Sequence, residues 1–318
     1  MVGRLPTLVD HVPRILVLGS SGFIGSRVAA SLAASGKAHV VAVSRKPDSG
    51  LRNHNATIAA ADISVPGSLA PFLAGASAVV HSASYVGSDP DVAREVNEAG
   101  TRNVIEQCRE AGVQRVIYVS TCSVYGSGPH RGLAEADAGY HPESNTSASR
   151  AAAEQAVLAY GGEVVRPNLV LGAGDRWVVP GLVKIMKVAG GWPGDGSALL
   201  SLIGVEALGE LIAGLALAPR HAGQAFHAAY PEPVTVGSLV RGVAQAFGVE
   251  SLRFLGDDSM ALAALRGAGF SSHRVNLVTT DHWYSSDRLW EVAGCPPEAY
   301  PEALLSASYS VSRGLGRA

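Results

Sequence analysis

Lysine is scarce in this sequence. The 318 residues contain four lysines, at positions 37, 46, 184 and 187, so a long central stretch has none. The formal net charge is −2 and no block of basic residues occurs. A chain without concentrated positive charge is a poor partner for nucleic acid or for an anionic membrane surface.

Cysteines and long apolar runs are also few. Cysteine occurs only at Cys108, Cys122 and Cys295. This odd, scattered set argues against a disulfide framework or a zinc site and suits a reducing compartment. The most apolar late segment, residues 202–219, is interrupted by Glu206 and Glu210 and does not predict a membrane span. Residues 1–13 lack the pattern of a signal peptide, so we expect a cytoplasmic protein.

A glycine-rich turn is the clearest local pattern. An apolar run over residues 14–18 precedes it and a helical run over residues 23–34 follows it. A strand, a tight turn and a helix N-terminus in this order favour a bound pyrophosphate, because free N–H groups and the helix dipole both attract an anion. An ordinary glycine-rich turn is the alternative. The predicted dinucleotide contacts here are Gly19, Ser21, Gly22, Phe23, Ile24 and Gly25.

Strand and helix patterns alternate up to residue 168. The predicted strands are 14–18, 39–43, 57–60, 78–81, 114–120 and 163–167, and the long predicted helices are 91–111 and 147–160. This alternation predicts an α/β fold with a doubly wound parallel sheet, the Rossmann arrangement, and ligands beyond the carboxyl ends of the strands.

The texture changes after Pro167, where glycine and proline become frequent. Shorter elements follow, with helices predicted over 205–218 and 236–247 and a strand over 224–227. We therefore predict a cofactor-binding domain over residues 1–168. A smaller C-terminal substrate lobe over residues 169–318 would follow it and could send strands back to the first domain.

The end of the second strand predicts which cofactor binds. A carboxylate at this place would hold a free ribose 2′-hydroxyl, whereas this chain has Arg45 and Lys46. Two cations suit a 2′-phosphate, so NADP(H) is expected over NAD(H). A solvated basic turn beside Asp48 is the alternative.

Two further strand ends carry candidate cofactor contacts. Asp62 and Ile63 suit an adenine edge and face, although Asp62 could instead cap a helix that starts near Pro66. Tyr85 would point to the reacting centre, or else pack as an ordinary tyrosine. The small residues expected to let the backbone lie against the nicotinamide ribose are Ser82, Ala83 and Ser84.

Seven segments occur in the order seen in the extended short-chain dehydrogenase/reductase family. They read GSSGFIG, ADIS, HSASYVG, VNEAGTRNVIEQCREAGVQRVIYVST, CSVYG, VVRPNLVLGAGD and YSSDRLWEVAGCPP. The chain thus resembles these nucleotide-sugar epimerases, dehydratases and ketone reductases over nearly its whole length. The resemblance implies that Asn97 and Thr101 brace a helix beside the active site. It also implies that Thr121, with Ser123 beside it, binds substrate and that Pro167 contacts the cofactor.

The family's catalytic Tyr-x-x-x-Lys pair is missing. The aligned segment places Thr146 where the family has tyrosine and Arg150 where it has lysine, and Tyr140 lies six residues too early. A threonine hydroxyl is a far weaker acid than a phenol, and loss of a positioned acid typically costs ~10²–10⁴-fold in rate. Arg150 could still hold the nicotinamide ribose or a phosphate, or be an exposed helix cation.

Three explanations of this loss remain open. Tyr85 could act instead, the substrate or water could supply the proton, or the chain could be a non-catalytic NADP(H) sensor or scaffold. We favour a ketoreductase for an aromatic polyketide-like metabolite. An acidic hydroxyl beside the ketone of this substrate would stabilise the developing alkoxide through an internal hydrogen bond. In this respect the chain is similar to the angucyclinone (simocyclinone) ketoreductase type. A nucleotide-sugar epimerase or dehydratase is the remaining alternative. The candidate catalytic residues are Tyr85, Thr121, Ser123 and Thr146.

Two matters stay open at this level. In the family, the helices predicted over 91–111 and 147–160 often pair in a dimer, but they could equally serve a monomer. Among the four tryptophans, Trp192 is the one expected to line a flat aromatic pocket, with a core or surface position as the alternative.

Overall fold

The computed structural model describes residues 12–47, 51, 55–249 and 252–300. The strands are β1 (Arg14–Leu18), β2 (His39–Ser44), β3 (Ala56–Ala60), β4 (Ala78–His81), β5 (Val116–Val119), β6 (His130–Leu133), β7 (Glu163–Pro167), β8 (Leu169–Leu171), β9 (Leu199–Leu200), β10 (Leu202–Gly204), β11 (Ala225–Ala228), β12 (Val234–Thr235) and β13 (His282–Tyr284). The helices are α1 (Phe23–Ser35), α2 (Ala70–Leu73), α3 (Pro90–Ala93), α4 (Gly100–Glu110), α5 (Asn145–Ala159), α6 (Val178–Ala189), α7 (Val205–Leu217), α8 (Val236–Phe247), α9 (Ser259–Gly267), α10 (Ser272–Thr279) and α11 (Asp287–Ala293).

A seven-stranded parallel sheet forms the centre of the fold. Its strand order is β11-β7-β5-β4-β1-β2-β3, and every neighbouring pair is parallel. The order reverses between β1 and β4, so a crevice opens at the carboxyl ends of these two strands. The predicted doubly wound Rossmann sheet is confirmed.

Each face of the sheet has its own apolar core. Ile15 and Val17 of β1 face a core shared with α1, α7 and α11. Leu16 and Leu18 alternate to the other face, where α4 and α5 cover them. Helices α1 and α7 cross closely, because a β-carbon on Gly209 would lie 2.7 Å from the β-carbon of Arg27. Two-sided burial explains why these strands are nearly all apolar.

Helices α3 and α4 are joined by a π-helical segment, Arg94–Ala99, into one continuous helix. The amide of Gly100 donates to the carbonyl of Glu95, five residues earlier. A π segment adds a residue to one turn and often marks a functional site. Here the segment carries Asn97, which is buried.

The chain after Pro167 builds two smaller sheets, β10-β8 and β12-β9-β13-β6. A separate core of α6, α8, α9 and α10 side chains supports them. Strand β11 and helix α7, however, join the seven-stranded sheet and its core. Two elements that follow residue 168 in sequence therefore pack with the large sheet. The division into two domains at residue 168 stays a prediction. No helix in the described ranges is both long and apolar enough to span a bilayer.

Candidate active site

The glycine turn is held against the end of β4. Gly19 has a φ of +80°, and a β-carbon there would lie 2.6 Å from the backbone nitrogen of Ala83. A β-carbon on Gly25 would lie 2.3 Å from the carbonyl oxygen of Gly19 and 2.4 Å from Ser82 Oγ. Both positions therefore require glycine.

The start of α1 leaves its first N–H groups without side-chain caps. Gly22 is the N-cap residue and offers no side chain to accept from them, and the first turn carries no acidic residue. Ser21 is exposed, while Phe23 and Ile24 are half-buried. Uncapped N–H groups at a helix N-terminus form a ready anion site, so this turn fits a dinucleotide pyrophosphate.

The floor beside this turn is the segment after β4. Ser82 donates from both its amide and its hydroxyl to the carbonyl of Leu18, at 3.0 and 2.7 Å. Ala83 and Ser84 follow it and are half-buried. The predicted small residues therefore do press the backbone against the glycine turn. Their contact with a cofactor stays a prediction.

Arg45 and Lys46 follow β2 at the same edge and are both exposed. The end of β2 is bound to the glycine turn, because the amides of Gly19 and Ser20 both donate to the carbonyl oxygen of Val43. Two cations that form no ion pair with a described residue thus border the anion site. Asp48, the residue that could have neutralised them, lies outside the described residues.

Asp62 and Ile63 have local roles in the structure. Asp62 Oδ1 accepts from the amide of Ser64 at 2.9 Å. The helix expected near Pro66 begins at Ala70 instead, so Asp62 closes a turn and does not cap that helix. Ile63 is 7% exposed, and its side chain packs against Gly100. An additional contact of either residue with adenine stays a prediction.

Thr146 is bound to the loop that follows β4. Its hydroxyl donates to the carbonyl oxygen of Gly87 at 2.9 Å. A hydroxyl has one hydrogen, so Thr146 cannot give a proton to a substrate while this bond is made. Buried Ser147 reciprocates with Ser144 in a capping box that fixes the start of α5 and hence the place of Thr146.

Tyr85 lies on this same loop and its phenol rests over Gly87. A β-carbon on Gly87 would lie 2.1 Å from Tyr85 Oη. The oxygen accepts from the amide of Asp89 at 3.4 Å. No acceptor for its own hydrogen is found in the described part of the chain. Tyr85 as a whole is half-buried.

Thr121 and Ser123 form a hydroxyl pair after β5. Thr121 Oγ1 accepts from the Ser123 amide at 3.1 Å and donates to Ser123 Oγ at 3.2 Å. The hydrogen of Ser123 has no acceptor within the described ranges, and both residues are half-buried. Ser123 is therefore the free donor of the pair, at the position where the sequence predicts substrate binding.

Arg150 is buried instead of projecting from its helix. It is 8% exposed, and its Nη2 donates to Val119 O at 2.6 Å. Its Nε has no hydrogen-bond partner, and no carboxylate of the described residues lies within 4 Å of the guanidinium. Burial, aided by this cation, lowers the pKa of His81 to about 3. The alternative of an exposed helix cation is wrong, because the side chain points into the end of the sheet.

A buried network around Arg166 was not anticipated from the sequence. Arg166 donates to Glu154 at 2.6 and 2.9 Å, to Tyr125 Oη at 2.7 Å and to Tyr140 Oη at 2.9 Å. Tyr125 Oη also bonds His227 Nε2 at 2.7 Å. This network ties the turn after β5 to α5, β7 and β11. It also occupies Tyr140, which explains why that phenol is not available as a displaced catalytic acid.

The expectation that Trp192 lines a flat aromatic pocket is wrong. Trp192 is completely buried in the C-terminal core, where it fills space between helices and lines no open surface. Trp177 is 58% exposed at the start of α6. The loop before it contacts α1, since Arg27 donates to Ala173 O at 2.6 Å and Gly174 lies against Phe23. Pro167 is buried at the end of β7.

No group of three or more histidine, cysteine, aspartate or glutamate side chains could hold a metal ion in the part of the chain that the structure describes. The candidate site is instead built from glycines, hydroxyls and one buried guanidinium. A sheet crevice of this composition is typical of a dinucleotide-dependent oxidoreductase.

Comparison with known proteins also indicates an oxidoreductase. Residues 15–211 match the model of the NAD-dependent epimerase/dehydratase family, and the chain belongs to this family of oxidoreductases, the extended short-chain type. It is 29% identical over 303 residues to 2-alkyl-3-oxoalkanoate reductase of Stenotrophomonas maltophilia, covering 86% of this chain and 92% of that protein. It is 28% identical over 328 residues to the bovine decarboxylating sterol-4-alpha-carboxylate 3-dehydrogenase, covering 91% and 90%.

A solved structure of similar fold is DesIV, a dTDP-glucose 4,6-dehydratase from Streptomyces venezuelae with NAD and TYD bound. The TM-score is 0.72 at 23% identity, covering 95% of this chain and 98% of that one. This likeness shows that the chain shares the fold of that dehydratase.

Proposed function

We propose that this protein is an NADPH-dependent ketoreductase acting on an aromatic, polyketide-like metabolite in the cytoplasm. The observation that carries the proposal is the pairing of a complete dinucleotide cradle with an altered acid position. Gly19 and Gly25 admit no side chain, whereas Thr146 is engaged with Gly87. When bound, the cofactor supplies a hydride.

The preference for NADPH rests on charge. Arg45 and Lys46 are exposed at the end of β2, beside a turn built for phosphate. A guanidinium binds a phosphate through paired hydrogen bonds, whereas a 2′-hydroxyl offers it no charge. NADH is therefore expected to bind more weakly than NADPH.

The carbonyl-binding role falls to the hydroxyl pair after β5. The Ser123 hydroxyl keeps a free hydrogen. Thr121 Oγ1 orients Ser123 by donating to its Oγ and by accepting from its backbone amide. A ketone oxygen is an acceptor only, so one such donor suffices to orient it for hydride attack. The buried Arg150 has unspent donors that suit the ribose hydroxyls of the cofactor.

The proton has two possible sources. An acidic hydroxyl of the substrate, or water, could supply it, as the loss of the tyrosine predicts. The free phenol of Tyr85 is the protein's own source. In neither case does Thr146 itself give the proton, and a sugar hydroxyl of a nucleotide-sugar substrate would not be acidic enough to replace the missing phenol.

A second substrate class is favoured by the relatives. The names of the Stenotrophomonas and bovine enzymes both place an oxygen function one carbon away from the carbon that carries a carboxylate. A ketone with a neighbouring carboxylate is therefore the second candidate, and it shares the ketoreductase chemistry with the first.

The test follows oxidation of NADPH and then NADH by the purified protein. The ketones offered are hydroxy-substituted aryl ketones, quinones, a 2-alkyl-3-oxo acid and a nucleotide keto-sugar. Turnover of aryl ketones with NADPH in preference to NADH supports the proposal. Turnover of the oxo acid alone or of the keto-sugar alone selects those classes. Tight NADPH binding with no oxidation by any ketone indicates the sensor or scaffold alternative.

A further inference from the structure

The loop of residues 85–89 is tied down from two separate helices. Asn97 of the π segment accepts from the Tyr85 amide at 2.7 Å and donates to the Tyr85 carbonyl at 3.0 Å. The side-chain amide of Asn97 also donates to Ser149 Oγ on α5 at 3.0 Å. One buried side chain thus fixes both backbone groups of Tyr85 and links them to the neighbouring helix.

Thr146 supplies the second tie. Its bond to Gly87 O lies two residues beyond Tyr85 and joins the loop to the first turn of α5. Asp89 closes the loop by capping α3, where it accepts from the amides of Asp91 and Val92. The phenol of Tyr85 is thereby attached to a backbone that is fixed at three points, by Asn97, Thr146 and the Asp89 cap.

The space over Gly87 completes the arrangement. The ring of Tyr85 lies where a side chain at position 87 would be, with Oη 2.1 Å from an ideal β-carbon. The Asp89 amide donates to this oxygen, which leaves the phenol hydrogen as a free donor. The loop therefore holds the Tyr85 hydroxyl in place without accepting a hydrogen bond from it.

We infer that Tyr85 donates the proton to the substrate carbonyl oxygen and that Thr146 is the positioning residue that holds Tyr85 in place. The inference rests on the proposed ketone reduction and identifies its acid. The carbonyl carbon gains a hydride, supplied by the reduced nicotinamide, while the Tyr85 O–H bond breaks and its proton goes to the carbonyl oxygen. Water then returns a proton to the phenolate.

The experiment measures single-turnover reduction of an O-methylated aryl ketone, which has no acidic hydroxyl of its own. The variants are Y85F, T146V, T146S and the double variant Y85F/T146V. Loss of the acid in Y85F should slow the step ~10²–10⁴-fold. T146V should slow it about 10–100-fold through misplacement, and T146S, which keeps the hydroxyl, should recover most of that loss.

The double variant separates positioning from an independent role. If Thr146 acts only through Tyr85, the double variant is no slower than Y85F. Affinity for NADPH should stay within about twofold in every variant. Amide hydrogen exchange at residues 86–89 should rise in T146V and not in T146S, which reports the tie without any turnover.

Three results would overturn the inference. They are a Y85F protein with the wild-type rate on the methyl ether, multiplying losses in the double variant, and unchanged loop exchange in T146V. A wild-type protein that reduces the free phenol and leaves the methyl ether untouched would assign the proton to the substrate while preserving the proposed ketone reduction. A protein that reduces no ketone fails the proposed function, whereas the exchange result still decides the Thr146 tie.

Discussion

Replacing Gly25 with alanine tests whether the glycine turn is a cofactor cradle. Gly25 lies in the first turn of α1, where alanine is intrinsically preferred to glycine by about 1 kcal/mol. The added β-carbon, however, would lie 2.3 Å from Gly19 O and 2.4 Å from Ser82 Oγ. Propensity and packing therefore predict opposite effects, which makes the sign of the result informative.

The packing effect should be the larger one. Ordinary contact begins near 3.4 Å, so α1 and the turn must separate by about 1 Å. Gly19 O belongs to the backbone and Ser82 Oγ is held by Leu18 O, so neither can move freely. Overpacking of this kind costs typically about 1–3 kcal/mol. After the propensity gain, we expect up to about 2 kcal/mol of lost stability and at least about tenfold weaker NADPH binding.

The assay is thermal unfolding with and without NADPH, together with NADPH affinity by fluorescence. Gly181→Ala is the matched control, because Gly181 lies within α6 and no atom comes within 4 Å of its β-carbon position. That variant should keep cofactor affinity and gain up to about 1 kcal/mol in stability. A G25A protein that binds NADPH like the wild type would refute the cradle.

Three further predictions concern charge. Arg45→Ala should weaken NADPH binding about tenfold and leave NADH binding unchanged, with exposed Lys37→Ala as the control; equal losses for both cofactors would contradict the 2′-phosphate role. Glu154→Gln leaves buried Arg166 without its anion, so it should lower the free energy of unfolding by about 3–5 kcal/mol in denaturant titrations. The control is Glu98→Gln, which removes an exposed ion pair with Arg102 and should cost less than about 1 kcal/mol. Burial lowers the pKa of His227 to about 4. The unfolded chain therefore takes up the proton first, so stability present above about pH 6.5 should decline as the pH falls towards 4. His227→Gln should flatten this decline in urea midpoints, and an unaltered slope would exclude His227 as a contributor.

The sheet could be predicted from local pattern. The apolar runs at 14–18 and 78–81 are short and flanked by turn residues, and both match the observed strands. The glycine turn was equally visible, because strand, glycines and helix are adjacent in sequence. Its closeness to Ser82 depends on strand pairing across more than 60 residues, yet the parallel topology implies that pairing.

The candidate site was less predictable because its decisive contacts join distant residues through side chains. The Thr146 bond to Gly87 spans 59 positions and has no periodic pattern. The Arg166 network likewise depends on which face of β7 meets α5. Trp192 was misplaced for a related reason, since a tryptophan among glycines is typical both of a lid and of a core capped by tight turns.

The two substitutions at the family's catalytic pair are physically linked. In the family, a lysine beside a phenol has a task that requires both groups. With threonine at 146 the phenol is gone, and the cation at 150 points instead to Val119 O, next to a neutral His81 and the buried Tyr118. A guanidinium suits that place better than an ammonium, because it stays charged and spreads its donors. Helix α5 anchors a strand end through Arg150 and the loop of residues 85–89 through Thr146, and this loop carries the Tyr85 phenol. Thr146→Tyr alone is therefore expected to give little ketone reduction in the NADPH oxidation assay, since it removes the threonine bond to Gly87 O and leaves no lysine at position 150.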